Sequence, residues 1–139
     1  GMLNMHFAVL KGMMERNSGS IVNIASDAAR VGSSGEAVYA ACKGGLLAFS
    51  KTLAREHSRN NIKINVICPG PTDTALLAGV TEGASNPEKL REAFVRAIPL
   101  GRLGQPEDLA SSIAFFLSDD ASFITGQVLS VSGGLTMNG

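Results

Sequence analysis

The apolar residues of this chain recur with two spacings, and these predict two kinds of element. Near the start, apolar side chains three or four positions apart predict a helix over residues 2–16. The apolar face of that helix consists of Leu3, Phe7, Leu10 and Met14. Short segments rich in valine, isoleucine and leucine predict buried strands over 21–25, 62–68 and 128–131. The chain therefore combines amphipathic helices with buried strands.

Three further helices are predicted between and after the strands. The longest runs from about residue 37 to residue 58. The segments Asn86-Pro87-Glu88 and Gln105-Pro106-Glu107-Asp108 each offer a polar cap, a first-turn proline and an acid that suits the helix dipole. Residues 71–86 contain two glycines and a proline, so we expect a loop there.

The predicted order is helix, strand, helix, strand, helices, strand. Connections that contain a whole helix suit parallel strands, because parallel neighbours need long crossovers. The 139 residues are enough for one domain. The pattern therefore predicts a single α/β domain over 1–139, with helices packed on a parallel sheet of about three strands.

Composition and charge exclude several classes of function. Hydrophobic residues make up 45% of the chain, which permits a buried core. Twelve basic residues balance twelve acidic ones, which argues against a nucleic-acid-binding or membrane-surface protein. The two cysteines, Cys42 and Cys68, have no metal-ligand spacing and are too few for a disulfide scaffold. We expect no metal site, and a cytoplasmic location.

Tyr39 and Lys43 are the strongest candidates for chemistry. Four residues apart near the start of the long helix, they share one face. A free phenol ionises near pH ~10, and an ammonium group ~4 Å away favours the phenolate by about 4 kcal/mol. The pair is therefore a candidate proton donor and acceptor near neutral pH. A solvated pair without function is the alternative.

The ends of the strands add further candidates at the same place. Ser26 follows the first strand, and Pro69-Gly70-Pro71-Thr72 follows the second. Ligands of open parallel sheets bind beyond the carboxyl ends of the strands, where these residues would lie. A serine hydrolase built from Ser26, Asp27 and His57 is a weaker alternative, because no GxSxG elbow surrounds the serine.

Four stretches of the sequence resemble the short-chain dehydrogenase/reductase family. They are IVNIAS, YAACK, INVICPGPTDT and GRLGQPEDLASSIAFFLSDDASFITGQVLSVSGG, in the family's order and spacing. The resemblance implies the C-terminal part of a Rossmann-like, doubly wound sheet. The stretch SDAARVGSSGEAVYAACKGG also resembles 2-hydroxycyclohexanecarboxyl-CoA dehydrogenases.

The resemblance implies an NAD(P)-dependent oxidoreductase that interconverts a hydroxyl and a ketone, with an acyl-CoA as one candidate substrate. Tyr39 would be the general acid/base, Lys43 would assist it and bind the nicotinamide ribose, and Ser26 would orient the carbonyl. The resemblance implies that Tyr39 and Lys43 also contact the cofactor, together with Pro69, Gly70, Thr72 and Thr74. Residues 73–98 correspond to the family's substrate loop.

The family's glycine-rich dinucleotide turn has no counterpart in the 139 residues. We therefore expect a truncated catalytic half, for which NAD or NADP binding by the chain alone is doubtful. The alternative is an inactive remnant that acts as a self-associating fragment. An uncovered edge of a parallel sheet favours association, so we expect a homo-oligomer that buries the first helix and the Tyr39 helix.

Overall fold

The computed structural model describes residues 1–138, which form three strands and six α-helices. In chain order the elements are α1 (Met2–Glu15), β1 (Gly19–Ile24), α2 (Ala28–Val31), α3 (Ala37–His57), β2 (Ile62–Pro69), α4 (Ala75–Glu82), α5 (Pro87–Ala97), α6 (Pro106–Leu117) and β3 (Val128–Val131). Short 3-10 turns follow α3 and α6. None of the helices in 1–138 is both long and apolar enough to cross a bilayer.

The three strands form one parallel sheet in the order β1-β2-β3. β2 lies in the centre and is buried on both faces, which agrees with its high content of isoleucine and valine. Ile62, Ile64 and Val66 pack under α1 and α3, whereas Ile67 packs under α6 on the other face. This alternation follows the two-residue period of a strand. The predicted α/β architecture with flanking helices and a Rossmann-like sheet is therefore confirmed.

The prediction of a loop over 71–86 is wrong, because α4 occupies Ala75–Glu82. Thr74 caps this helix: its hydroxyl oxygen accepts a hydrogen bond from the Leu77 amide at 3.4 Å. Residues 75–78 are alanines and leucines, which are strong helix formers, and the helix continues through Gly79, which is a weak one. The expected substrate loop over 73–98 accordingly contains two helices, α4 and α5.

His6 is a second departure, since the sequence offers it no partner ligands and therefore predicts a residue at the surface or at a helix end, whereas His6 lies within α1. The side chain is only 4% exposed, and its ring packs edge-on against Phe49. Asn23 Nδ2 lies 3.2 Å from His6 Nε2, and His6 Nδ1 lies 3.0 Å from the Met2 carbonyl oxygen. Both ring nitrogens thus have partners, which makes burial of the polar ring tolerable.

Candidate functional site

Ser26 lies at the carboxyl edge of the sheet, just beyond the end of β1. The backbone on either side is tied to β2: the Ala25 amide donates to the Ile67 carbonyl at 2.8 Å, and the Asp27 amide donates to the Pro69 carbonyl at 3.0 Å. The Ser26 hydroxyl oxygen accepts a bond from the Ala28 amide at 3.2 Å. That bond does not use the hydroxyl hydrogen, which can therefore be donated to a ligand oxygen.

Tyr39 and Lys43 lie in the first turns of α3, which begins at Ala37. Lys43 Nζ lies over the Tyr39 ring, 5.8 Å from its centroid. The same ammonium donates a hydrogen bond of 2.9 Å to the carbonyl oxygen of Ile24, the last residue of β1. Tyr39 is 39% exposed. The start of α3 is thus fastened to the strand end two residues before Ser26.

The four residues implied at the cofactor lie in or beside the turn that leaves β2 at Pro69. The Gly70 amide donates to the Val131 carbonyl at 3.1 Å, which ties this turn to β3. A Cβ on Gly70 would lie 2.7 Å from Ser132 Cβ, so a side chain would not fit there. Thr72 Oγ1 donates to the Gly70 carbonyl at 2.9 Å, and Thr74 Oγ1 donates to the Thr72 carbonyl at 3.3 Å. The turn is therefore held by local hydrogen bonds.

Two groups close to these residues have shifted acidity. Burial raises the pKa of the Cys68 thiol, and Cys68 lies at the end of β2 with a backbone contact to Ser26. Beyond the turn, the guanidinium of Arg91 hydrogen-bonds both carboxylate oxygens of Asp73, at 3.0 and 2.6 Å. This pairing lowers the pKa of Asp73 and joins α5 to the residue before the α4 cap.

The structure separates His57 from the other two residues of the hydrolase alternative, Ser26 and Asp27. His57 ends α3, eighteen residues after Tyr39, which corresponds to about 27 Å along a helix. Ser26 lies near the other end of the same helix, beside Ile24 and Lys43. Ser26 and His57 are therefore not arranged for nucleophilic catalysis. Within residues 1–138, no cluster of three or more His, Cys, Asp or Glu side chains could hold a metal.

Sequence reasoning missed a polar cluster that adjoins Ser26. It consists of Asp27, Arg30, Ser130 and the carbonyl group of Asn138. Asp27 is only 5% exposed, although it follows Ser26 directly in the sequence. Its partner Ser130 lies on β3, 103 residues later, and no local motif connects two positions so far apart.

Comparisons with known proteins agree on one family. A family model described as enoyl-(acyl carrier protein) reductase matches residues 1–136. The 3-oxoacyl-(acyl-carrier-protein) reductase FabG of Chlamydia muridarum is 42% identical over 132 residues, covering 95% of this chain and 51% of the relative. The acetoacetyl-CoA reductase of Shinella zoogloeoides is 42% identical over 135 residues, covering 96% of this chain and 54% of the relative.

The fold agrees with these matches. A crystal structure of 3-oxoacyl-(acyl-carrier protein) reductase from Brucella melitensis superposes with a TM-score of 0.86 and 35% sequence identity, covering 98% of this chain and 49% of that one. The chain thus spans about half the length of the relatives it matches. The family resemblance is confirmed: the chain belongs to the short-chain dehydrogenase/reductase family.

Proposed function

We propose that these 139 residues form the C-terminal, proton-transferring portion of an NAD(P)-dependent oxidoreductase that interconverts a hydroxyl and a carbonyl group. The observation that carries the proposal is the hydrogen bond from Lys43 Nζ to the Ile24 carbonyl. It brings the Tyr39–Lys43 pair to the strand end that bears Ser26. A phenol, an ammonium and a hydroxyl at one edge suit proton transfer to a substrate oxygen.

Each of the three side chains has a distinct role in this proposal. The Ser26 hydroxyl donates a hydrogen bond to the carbonyl oxygen of the substrate and stabilises the negative charge that develops there. Tyr39 gives its phenolic proton to that oxygen in the direction of reduction and takes it back in the direction of oxidation. Lys43, over the Tyr39 ring, stabilises the phenolate left behind, because opposite charges attract at short range.

NAD or NADP is the coenzyme that the family implies, and a bound nicotinamide would supply or accept the hydride. The residues fit the nicotinamide-ribose portion of such a molecule. Lys43 has three N–H donors and gives one of them to Ile24, so two others can serve ribose hydroxyls. Pro69, Gly70, Thr72 and Thr74 would border the nicotinamide, since they form or adjoin the turn at the end of β2.

The relatives suggest the substrate class. Those described above are named as reductases of 3-oxoacyl groups on acyl carrier protein and of acetoacetyl-CoA. Both names describe a β-keto acyl thioester. We therefore propose an acyl thioester with a ketone or hydroxyl group as the substrate, with coenzyme A as one candidate carrier.

A homo-oligomer is the proposed assembly, and α1 gives the reason. Phe7 is 88% exposed, and Leu3 and Met14 are exposed on the same helical face. β1 is an edge strand among the described residues, next to β2 alone. An apolar helix face beside a sheet edge favours association with a second copy. The same features favour the second candidate function, a self-associating fragment without redox activity.

The two candidate functions differ in whether the protein transfers a hydride: the oxidoreductase does, and the self-associating fragment does not. In the test, NADPH or NADH carrying deuterium at the transferable position is incubated with the protein and acetoacetyl-CoA. The oxidoreductase transfers deuterium to the carbinol carbon of the product. Tyr39→Phe should lower the rate of this transfer about 100-fold or more but leave coenzyme binding intact. Absence of both transfer and saturable coenzyme binding would favour the self-associating fragment.

A further inference from the structure

A polar cluster connects α2, β3 and the C-terminal segment at the carboxyl edge of the sheet. Arg30 Nη1 donates to Ser130 Oγ at 2.8 Å, and Arg30 Nη2 donates to the Asn138 carbonyl oxygen at 3.0 Å. Ser130 Oγ in turn donates to Asp27 Oδ1. A hydroxyl group has a single hydrogen, so Ser130 can donate only one hydrogen bond. Because its oxygen accepts from Arg30, that hydrogen is directed to Asp27.

The carboxylate of Asp27 depends on this arrangement. The residue is 5% exposed, and its Oδ2 is buried without a hydrogen-bond partner in residues 1–138. Buried carboxylates are costly unless hydrogen bonds hold them. Arg30 forms no direct ion pair with Asp27 and acts on it through Ser130. The serine hydroxyl is therefore the link between the guanidinium and the carboxylate.

The cluster fixes the backbone that carries Ser26. Asp27 follows Ser26, and its amide donates to the Pro69 carbonyl at the end of β2 at 3.0 Å. Its side chain reaches further, to Ser130 on β3, a strand that is not adjacent to β1. The residue after Ser26 is thus held to both other strands of the sheet. A catalytic hydroxyl has to stay within a fraction of an ångström of its working position.

We propose that Arg30 and Ser130 are positioning residues, which act through Asp27 to hold Ser26 beside the β2 turn. The role in turnover rests on the proposed function, whereas the restraint on the loop does not. Arginine suits this role because its planar fork serves Ser130 and Asn138 together, while the ammonium of a lysine is a point charge. The cluster also anchors the C-terminal segment to α2, the helix that follows Ser26.

Amide hydrogen exchange of the whole chain tests the restraint. Arg30→Met keeps an unbranched side chain of about the length of the arginine stem and removes the guanidinium donors. We expect exchange at the Asp27 amide to accelerate about ten-fold or more, because local opening no longer has to break the cluster. The Ile64 amide, bonded to Thr125 Oγ1 at the other end of β2, should change little. Arg59→Met, at an exposed arginine on the 3-10 turn after α3, is the matched control.

Two results would overturn the restraint. Unchanged exchange at Asp27 in a folded Arg30→Met protein would show that the cluster does not hold the loop. Equal acceleration at Asp27 and Ile64 would show a loss of global stability only. The double variant Arg30→Met/Ser130→Ala should exceed the stronger single variant by less than two-fold at Asp27, because the two residues act in series. If the two single effects on exchange at Asp27 multiply in the double variant, Arg30 and Ser130 do not act in series.

Kinetics test the positioning role. In the protein that turns over a ketone, Arg30→Met should lower kcat about ten-fold with the KM for coenzyme nearly unchanged, because misplacement affects the reacting oxygen. Arg30→Lys should recover part of the kcat that Arg30→Met loses. Ser130→Thr, which keeps a hydroxyl, should retain most of the wild-type kcat. A wild-type kcat in Arg30→Met would overturn the role. If the wild type shows no turnover, the proposed function fails, and exchange at Asp27 still decides whether the cluster restrains the loop.

Discussion

The ammonium group of Lys43 lies 2.9 Å from the carbonyl oxygen of Ile24, and this bond joins α3 to the end of β1. An isolated i, i+4 pair on a helix contributes little specificity, since many such pairs are simply solvated. The bond to a strand end is what distinguishes Lys43 from other helical lysines. It places the amine and the neighbouring phenol at the edge where ligands of parallel sheets bind.

Replacement of Lys43 should therefore weaken coenzyme binding as well as turnover. Hydrogen bonds from a charged group contribute about 1.5–3 kcal/mol, so Lys43→Met should raise the KM for NADPH or NADH about ten-fold or more. Steady-state kinetics at varied coenzyme concentration measure this effect. Lys51→Met, an exposed lysine on the same helix, is the control. An unchanged KM in Lys43→Met would show that the amine does not bind coenzyme.

The two cysteines should differ sharply in reactivity. The thiolate is the reactive form, and burial raises the pKa of the Cys68 thiol, whereas Cys42 is exposed. A disulfide reagent at neutral pH should therefore label one thiol quickly and the second only as the protein unfolds. In Cys42→Ser the fast phase should disappear, and in denaturant the remaining thiol should react at once. Fast labelling of native Cys42→Ser would contradict the burial of Cys68.

The start of α6 should be sensitive to acid. Arg102 and the backbone amide of Gln105 lower the pKa of Asp108 to about 2. A carboxyl whose pKa is lower in the folded state stabilises the fold above its unfolded pKa, near 3.8, and this contribution is lost as pH falls towards 2. Asp108→Asn should therefore have a lower urea midpoint than the wild type at pH 7. This difference in midpoint should become smaller as the pH approaches 2.

The matched control for this change is Asp120→Asn, an exposed acid that leaves the Arg102–Asp108 pair intact. Urea unfolding at several pH values between 7 and 2 compares the three proteins. If the difference between wild type and Asp108→Asn stays constant over that range, ionisation of Asp108 is not the cause.

The exposed apolar face of α1 should set the oligomeric state. Phe7→Glu places a charge in the middle of that face, and burial of an unpaired charge in an interface is strongly unfavourable. Light scattering should show a homo-oligomer for the wild type and a smaller species for Phe7→Glu. Leu76→Glu, at an exposed leucine on α4, should behave like the wild type. A monomeric wild type would contradict the proposed assembly.

Local signals explain which parts of the fold were predictable. β2 was recognisable because both of its faces are buried, which makes its sequence rich in isoleucine and valine. α1 was recognisable because its apolar residues repeat with the helical period. α4 was missed because Gly79 and the surrounding turn residues outweighed the cap at Thr74. His6 was misjudged because its burial depends on Asn23 of β1, a contact that folding alone creates.

The candidate site also contains residues that local sequence signals predict and contacts that they do not predict. Tyr39 and Lys43 were visible because four residues on a helix bring side chains together. Ser26 was visible because it ends a predicted strand. The link between Asp27 and Ser130 was not visible, because it depends on β1 and β3 flanking the same central strand. Contacts that depend on the sheet order have no counterpart in local sequence spacing.

Ser26 and Tyr39 are proposed to act on one oxygen atom, and a double-mutant cycle examines that relationship. The rate of hydride transfer is measured in Ser26→Ala, in Tyr39→Phe and in the double variant at saturating coenzyme. Groups that act as a unit give strongly non-additive effects, so the double variant should be about as slow as the slower single variant. Effects that multiply, or wild-type transfer in Tyr39→Phe, would show that the phenol and the hydroxyl do not serve the same proton transfer.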